Sequence, residues 1–587
     1  MKNNKLMKIK NIILLLLSLL AFGSCKKYLD VKPLDKLTVE QAFSNESNLQ
    51  LYTNSFSVAM LPDGPGIYEA DVMTDITVPN IVPTLISGKL SPQDAGVWNF
   101  TNLRNINYFL EHYNNPAISQ AARNNYAGVA KFFRAYFYFN LVKQYGDVPW
   151  YNHTLAVDDP GLYKPRDPRA MVMDSVLADI NYACNYITNA KDNSSTQITK
   201  WVALALKSRI CLFEGTYRKY HTETGLSSTA NTWLQNSQDA ANQLITSGQY
   251  KLQTTGAPEK DYRSVFISEN PQTSEVILAA VYNNALKRWH NATYWFDSAT
   301  LGARLGLSKS FVNTYLNIDG TPFTSIPGYD TLQFKDETKN RDLRLQQTIR
   351  AGKYARSDGS LAPPDFNVTY SGYHILKFSL DDKYYDTRTE NYNSIPIIRY
   401  AEVLLNYAEA KAELGTFTAG DWSITVAALR TRAGITNAAM PTTVDPYMQT
   451  TFFPDVSNPA LMEIRRERGI ELAVEGFRYD DLKRWKAGKL LERPYDGLYV
   501  PAKDTPLDLN DDGKPDVAFV DKIPATKIAG VVYFLLDNNT SKLSQGTKGN
   551  LIWLSNIPKS YPDRDYLNPI APNEIILNPN LKQNPGW

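Results

Sequence analysis

From Lys26 to Tyr250 apolar residues recur at three- and four-residue intervals, a pattern that predicts successive amphipathic helices joined by short loops. Thr38 and Gln41 form a capping box before a first helix running toward Met60. A later helix carries Trp98, Ile106, Phe109 and Tyr113 on one face. The next carries Ala122, Tyr126, Val129, Phe133, Phe137 and Leu141, and Gly146 and Pro149 stop it. Asp167 and Pro168 read as cap and first-turn proline for a helix through Val172, Val176, Ala183 and Ile187. Thr199 opens a helix to about Tyr220, and Asn231 another that ends at Gly248. Helices of about 15 to 25 residues with short loops lie antiparallel, and stacked hairpins form a solenoid with a concave face.

The most strongly specified stretch is PALMEIRRERGIELAVEGFRYDDLKRWK, Pro459 to Lys486. Leu461, Ile464, Arg468 and Leu472 recur at helical spacing, Gly476 suits a left-handed C-terminal position, and Asp480 caps a second short helix with Leu482 and Trp485. Glu463, Glu467, Glu471 and Glu475 stack at every fourth position, which is repulsive on a lone helix, so neutralisation by Arg465, Arg466, Arg468 and Arg478 is expected. A catalytic carboxylate pair is the alternative. RYAEVLLNYAEAKAELG, with Ala401, Leu405, Ala408 and Ala412, and a helix through Ala427 and Leu429 form one more pair beside it.

Two regions have another texture. Residues 251–396 contain short β-like runs, EVILAAVY (Glu275 to Tyr282) and YHILKF (Tyr373 to Phe378), among Gly, Pro, Asn and Asp. A second insertion runs from Pro494 to Pro558. The chain thus divides into a leader (1–24), a helical region (25–250), a loop-rich candidate ligand face (251–396), helical pairs (397–493) and a loop-rich C-terminal region (494–587). The fold class is mostly α, with irregular loops and small β insertions on a helical frame.

Composition is that of a globular chain: 587 residues, 43% hydrophobic and 21% charged. The formal charge of +2 includes Lys2, Lys5, Lys8 and Lys10; removing these four from 62 basic residues leaves 58 against 60 acidic, a balance of −2, which gives nucleic acid no general attraction. Met1 to Ser24 has a basic start, an apolar run from Ile12 to Phe22 and small residues before Cys25, as lipoprotein processing with acylation of Cys25 requires. The alternative is a plain secretory signal. Cys184 and Cys211 lie on predicted helices and read as buried free thiols, with a disulfide as the alternative.

With 36 Tyr, 23 Phe and 10 Trp, the position of the rings matters. RWHNATYWFD, Arg288 to Asp297, alternates Trp289, Tyr294 and Trp295 with His290, Asn291 and Asp297. Flat CH faces of sugars pack on such rings, and Asn, Asp and Arg pair with hydroxyls; packing of the insertion is the bland reading. The loop Pro62 to Ser91, with Asp71 and Asp75, is irregular and within reach of a ligand. DLNDDGKPD places Asp508, Asn510, Asp512, the Lys514 carbonyl and Asp516 at positions 1, 3, 5, 7 and 9 of a calcium loop, but Phe519 holds position 12, so a structural Ca2+ competes with a plain Asp-rich turn. GxSxG, GxxxxGK[ST] and HExxH motifs are absent, and the five His are scattered.

The Pro459–Lys486 stretch, KKYLDVKP after Cys25, YGDVP at Tyr145 to Pro149 and the C-terminal NEIILNPNLKQNPGW together resemble the SusD/RagB family of Bacteroidota outer-membrane lipoproteins. The resemblance implies tetratricopeptide-like helix pairs and a lipid-anchored protein at the cell surface. With the catalytic motifs absent, no catalysis is expected; the resemblance implies that the protein captures oligosaccharides and hands them to a SusC-like TonB-dependent transporter. It also draws attention to Trp98, because family members place ligand contacts in this N-terminal region; a core role for Trp98 is the alternative. Peptide capture by the same architecture, a carbohydrate-active enzyme and a scaffold without ligand stay open.

Overall fold

The computed structural model describes residues 38–587. The leader, Cys25 and KKYLDVKP lie outside the described residues. Among the described residues no helix is long and apolar enough to cross a membrane.

The frame is a set of helix hairpins. Gln120–Tyr145 packs along Arg169–Tyr186, and Lys200–Tyr220 along Ala230–Thr246. Tyr400–Glu413 lies against both Ala230–Thr246 and Pro459–Glu471, which joins the later helix pair to the first solenoid. This is the tetratricopeptide-like arrangement. Phe133, Tyr138, Val176, Ile180, Leu204 and Leu405 are fully buried in its core, each such side chain contributing about 1.5–3 kcal/mol. Cys184 and Cys211 sit in that core as free thiols, and burial pushes both up to about 12, so they are unreactive structural groups.

Several starts and stops follow local chemistry. The Thr38–Gln41 capping box forms, but its helix ends at Ala42, and Asn45 caps a separate helix, Glu46–Met60, by accepting from Asn48 N. Thr199 caps Lys200–Tyr220 as expected. Asp167 does not cap; its carboxylate accepts from Trp150 N at 2.7 Å and Pro168 is the capping position. Gly146 ends its helix at φ +73°.

The insertions are not separate bodies. Val276–Ala280 pairs antiparallel with Ile395–Arg399, Val276 opposite Arg399 and Ala280 opposite Ile395. YHILKF is not a strand; its residues enter isolated bridges, Gly306 to His374 and Ile349 to Ile375. Tyr262, Phe311, Tyr373 and Phe378 of residues 251–396 share one core with Leu498, Phe519 and Leu551 of the C-terminal region and with Ile470 and Val474 of the Pro459–Lys486 stretch. The change of texture at 396 and 494 therefore does not mark a packing boundary, whereas most buried residues before 251 belong to the helical core.

The central stretch folds as Pro459–Glu471 and Arg478–Arg484, turned by Gly476 at φ +79°. A Cβ on Gly476 would meet Ala70 Cβ at 3.0 Å, so close packing as well as backbone conformation requires glycine. The second helix begins ahead of Asp480, which lies in its first turn and pairs with Lys143 at 2.5 Å instead of capping. The four stacked glutamates are neutralised mostly from outside the stretch. Glu463 takes Arg430 at 2.5 Å, with Arg466 at 3.2 Å; Glu467 takes Arg344 at 2.5 Å and Arg430 at 3.0 Å. Glu471 takes Arg399 at 2.6 Å, Arg344 at 2.7 Å and also Arg432, and Glu475 takes Arg399 at 2.7 Å and Lys377 at 2.6 Å. Three local arginines, Arg465, Arg468 and Arg478, point elsewhere, to Glu413, Asp481 and Asp75. Arg344, Arg399 and Glu471 are buried to within 2% of full burial, so the centre of the protein is an ion-pair lattice between the two cores.

Candidate functional site

A cleft of about 570 Å³ opens between the start of the Thr101–His112 helix, the 149–163 loop and the Pro572–Leu577 helix. Trp98, Phe100, Tyr151 and Tyr163 supply rings to it, and Asn99, Arg104, His153 and Glu574 supply polar groups. Trp98 precedes its helix by three residues instead of starting it, and is half-buried. Its backbone N donates to Glu574 Oε1 at 3.1 Å, and its ring stands edge-on to Phe100 at 6.1 Å and Tyr145 at 5.3 Å. The loop opposite is fixed from behind: Asn107 Nδ2 donates to the carbonyls of Tyr151 and His153, and the Tyr151 hydroxyl donates to Gly161 O at 3.2 Å. Arg104 Nη1 donates to Leu155 O at 2.6 Å. Tyr163 is 53% exposed at the mouth. The cleft thus has rigid aromatic walls held by hydrogen bonds, with polar groups at its rim, in the size range of small-molecule sites. Two of the motif stretches meet here, through Tyr145 and Pro149 on one side and Glu574 on the other.

Tyr151, Tyr163 and Glu574 were not singled out from the sequence. The aromatic and polar residues of the 149–163 loop carry the same compositional signal as residues 288–297. Glu574 falls within the C-terminal motif stretch, but nothing in the sequence places it against Trp98, 476 positions away.

The predicted cluster at 289–297 divides. His290 and Asn391 form an antiparallel bridge, each backbone N donating to the other's carbonyl at 2.9 Å. One register step sets Trp289 opposite Tyr392 on the same face. Trp289 is half-buried and its Nε1 donates to Asn284 Oδ1 at 3.1 Å. The short helix Ala292–Asp297, with half-buried Tyr294 and Trp295, lies against Lys383–Thr387, and Tyr384, Tyr385 and Tyr392 pack edge-on in sequence at 5.0 and 5.9 Å. An aromatic face results. The polar members of the cluster are engaged internally. Asn291 Oδ1 accepts from the Tyr68 hydroxyl, while Asp297 pairs with Arg350 and His374, each at 2.6 Å. His290 is buried, which lowers it to about 4 and leaves it neutral.

Asp71 does not reach a ligand. The 62–91 loop folds onto the central stretch as short helices, Gly64–Tyr68 and Ala70–Met73; Asp75 pairs with Arg478 at 2.7 Å and Asp71 is fully buried, accepting from Gly476 N at 3.2 Å. Burial drives the Asp71 carboxyl up to about 7, against lowering by that N–H and by Lys377 and Arg478. A carboxyl raised in the fold holds more protons in the native than in the unfolded state, so its contribution is most favourable below the ordinary 3.8 and is lost as pH climbs toward 7. Asp71→Asn is expected to flatten the decline of stability between about pH 4 and 7 by on the order of 2–4 kcal/mol. Urea midpoints across that range read the effect; identical slopes in both proteins would remove Asp71 as its source.

At the predicted calcium loop, side-chain oxygens turn to the loop's own backbone. Asp508 accepts from Asn510, Asp511 and Gly513 N, and Asp512 from Lys514 N. Lys335 approaches Asp511 at 3.1 Å and Asp508 at 3.7 Å. Asn510 is buried, Asp516 accepts from Leu509 N, and no group of three or more His, Cys, Asp or Glu side chains among the described residues is placed to hold a metal ion. The calcium expectation gains no support from this geometry.

The family model described as the SusD family matches residues 274–587, and one described as starch-binding associating with outer membrane matches residues 27–212. Two SusD-like proteins of Formosa agariphila are 24% and 22% identical to this chain, across 84% and 70% of it and 94% and 79% of their own lengths. A solved SusD-like protein of Bacteroides fragilis superposes with a TM-score of 0.67 at 21% identity, over 94% of this chain and 100% of its own. A SusD-like carbohydrate binding protein of the same organism gives 0.67 at 20%, over 92% and 100%. These solved structures share the fold.

Proposed function

Because the chain belongs to the SusD family, we propose that it captures oligosaccharides at the outer membrane, anchored through Cys25, and releases them to a TonB-dependent transporter of the SusC type. The observation that carries this reading is the Trp98 cleft, where four rings and a polar rim converge in a concave space that a few sugar units fill. A sugar stacks on Trp98 and Tyr163, while Asn99, Arg104 and Glu574 meet its hydroxyls. Such contacts are individually weak, which suits capture followed by release. The description of a B. fragilis neighbour as carbohydrate binding supports the ligand class. The reading is non-catalytic: the carboxylates of the central stretch are buried against guanidinium groups and line no part of this cleft.

The position of Trp289 opposite Tyr392, beside the His290–Asn391 bridge, favours a second reading, in which the sugar lies on that open aromatic face. It buries less of a ligand than a cleft does.

The test is isothermal titration of the soluble chain from Lys26 against plant, algal and host oligosaccharides and a peptide digest. Binding of at least one oligosaccharide, with silence from the digest, is the expected result. Peptide binding with no glycan bound would replace this reading by peptide capture.

A further inference from the structure

A second cleft, of about 830 Å³, lies between the N-terminus of the Pro459–Glu471 helix and residues 485–493. Four cationic side chains line it, Arg465, Lys486, Lys489 and Arg493, against one acid, Asp455. Three of the cations have partners: Arg465 pairs with Glu413 at 3.2 Å, Lys486 with Glu223 at 2.8 Å and Lys489 with Glu492 at 2.8 Å. Arg493 differs. Its guanidinium lies over the Phe452 ring at 4.7 Å, and its Nη1 is buried with no hydrogen-bond partner. Arg465, 3% exposed, likewise leaves its Nε unpartnered.

The same shortage extends behind Arg493. Lys559 Nζ and the Tyr495 hydroxyl are also buried without partners, the ammonium resting 3.3 Å from the Tyr495 ring centroid. The acid on that side, Asp496, takes the N–H and hydroxyl of Ser310 at 3.1 and 3.2 Å and is one negative charge shared by Arg493 and Lys559, bonded to neither. Buried polar groups are ordinarily satisfied, so a cluster of unsatisfied donors marks a place for a group that accepts from them. Of these groups Arg465 and Arg493 line the cleft and Lys559 does not; both lining donors are cationic, and a planar guanidinium matches a carboxylate two bonds at a time. The adjoining wall of Phe452, Pro454 and Leu490 is apolar and suits the CH face of a ring.

We propose that this cleft is a second binding site, for a carboxylate-bearing sugar whose carboxylate is held by Arg493 and whose ring rests on Phe452, Pro454 and Leu490. The sugar class rests on the capture reading above; the need for an anion does not.

Titration with tri-galacturonate, the neutral galactose trimer and inorganic sulfate tests it, on the wild type, Arg493→Gln and Trp98→Ala. The acidic trimer is expected to bind at least tenfold more tightly than the neutral one, to lose at least tenfold in Arg493→Gln and to be unaffected by Trp98→Ala. Added salt weakens the acidic trimer alone. Should Arg493→Gln not fold, Leu490→Asp, which sets a negative charge on the wall, is expected to weaken the same ligand tenfold. Equal affinity for acidic and neutral trimers, no binding, or indifference to both substitutions overturns the proposal. Sulfate bound as tightly as the trimer would mean an adventitious ion only and overturns the sugar. If the acidic trimer binds through Arg493 while no glycan responds to Trp98→Ala, the first cleft fails and this one stands.

Discussion

Glu471→Ala is expected to destabilise the protein by about 3–5 kcal/mol, because it leaves buried guanidinium charge without its counter-charge. Glu471 is the point where Arg344, Arg399 and Arg432 meet, and all four side chains are buried. Although burial alone would raise its carboxyl, the charges of Arg432, Arg399 and Arg344 hold it well below the usual carboxylate range. Arg399 retains Glu475 and Glu275, and Arg344 retains Asp342 and Glu467, which limits the loss and rules out a larger figure. Glu471→Gln keeps the shape but not the charge, so it is expected to recover only part of the stability. Urea unfolding followed by intrinsic fluorescence checks both. A Glu471→Ala midpoint matching the wild type would show that the lattice contributes nothing net, the outcome a solvated surface pair gives.

Trp98→Ala is expected to weaken oligosaccharide binding about 10- to 100-fold, with the fold intact. A sugar face on an indole removes on the order of 50–100 Å² of apolar surface from water, about 1–3 kcal/mol, and each 1.4 kcal/mol is about tenfold in affinity. Trp98 is half-buried and precedes its helix, so its removal costs edge contacts with Phe100 and Tyr145 but no helix residue. Stability therefore falls much less than affinity. Tyr163→Ala, at the exposed mouth, is expected to lose affinity in the same direction by a smaller amount.

The frame was legible in the sequence wherever local chemistry decides it. Thr199 and Gly476 fix a cap and a turn through their own atoms, and the helical spacing of Val172, Val176, Ala183 and Ile187, and of Ala401, Leu405, Ala408 and Ala412, selects faces that are buried. The partners of the glutamates were not legible. Arg344 and Arg399 lie 127 and 72 positions from Glu471, and helical spacing identifies only near neighbours such as Arg468. Asp71 misled for a related reason: Gly, Pro and Asp make a loop look exposed, while Arg478 and Gly476, some 400 residues on, draw it inward. The sites show the same division. Trp98 and Trp289 stand out as aromatics in polar surroundings, yet the concavity around Trp98 is made by Tyr151, Tyr163 and Glu574, and the residue set opposite Trp289, Tyr392, comes from a distant segment. Shape comes from long-range packing, and residue type alone carries no information about it.

The central claim is that capture occurs in the Trp98 cleft. It is tested most directly by titrating the tightest-binding neutral oligosaccharide of the panel into the wild type, Trp98→Ala and Trp289→Ala under one set of conditions. At least a tenfold loss is expected for Trp98→Ala and a change within about twofold for Trp289→Ala. The reverse pattern, with Trp289→Ala abolishing binding and Trp98→Ala leaving it intact, would exclude the cleft as the capture site and move the site to the open aromatic face.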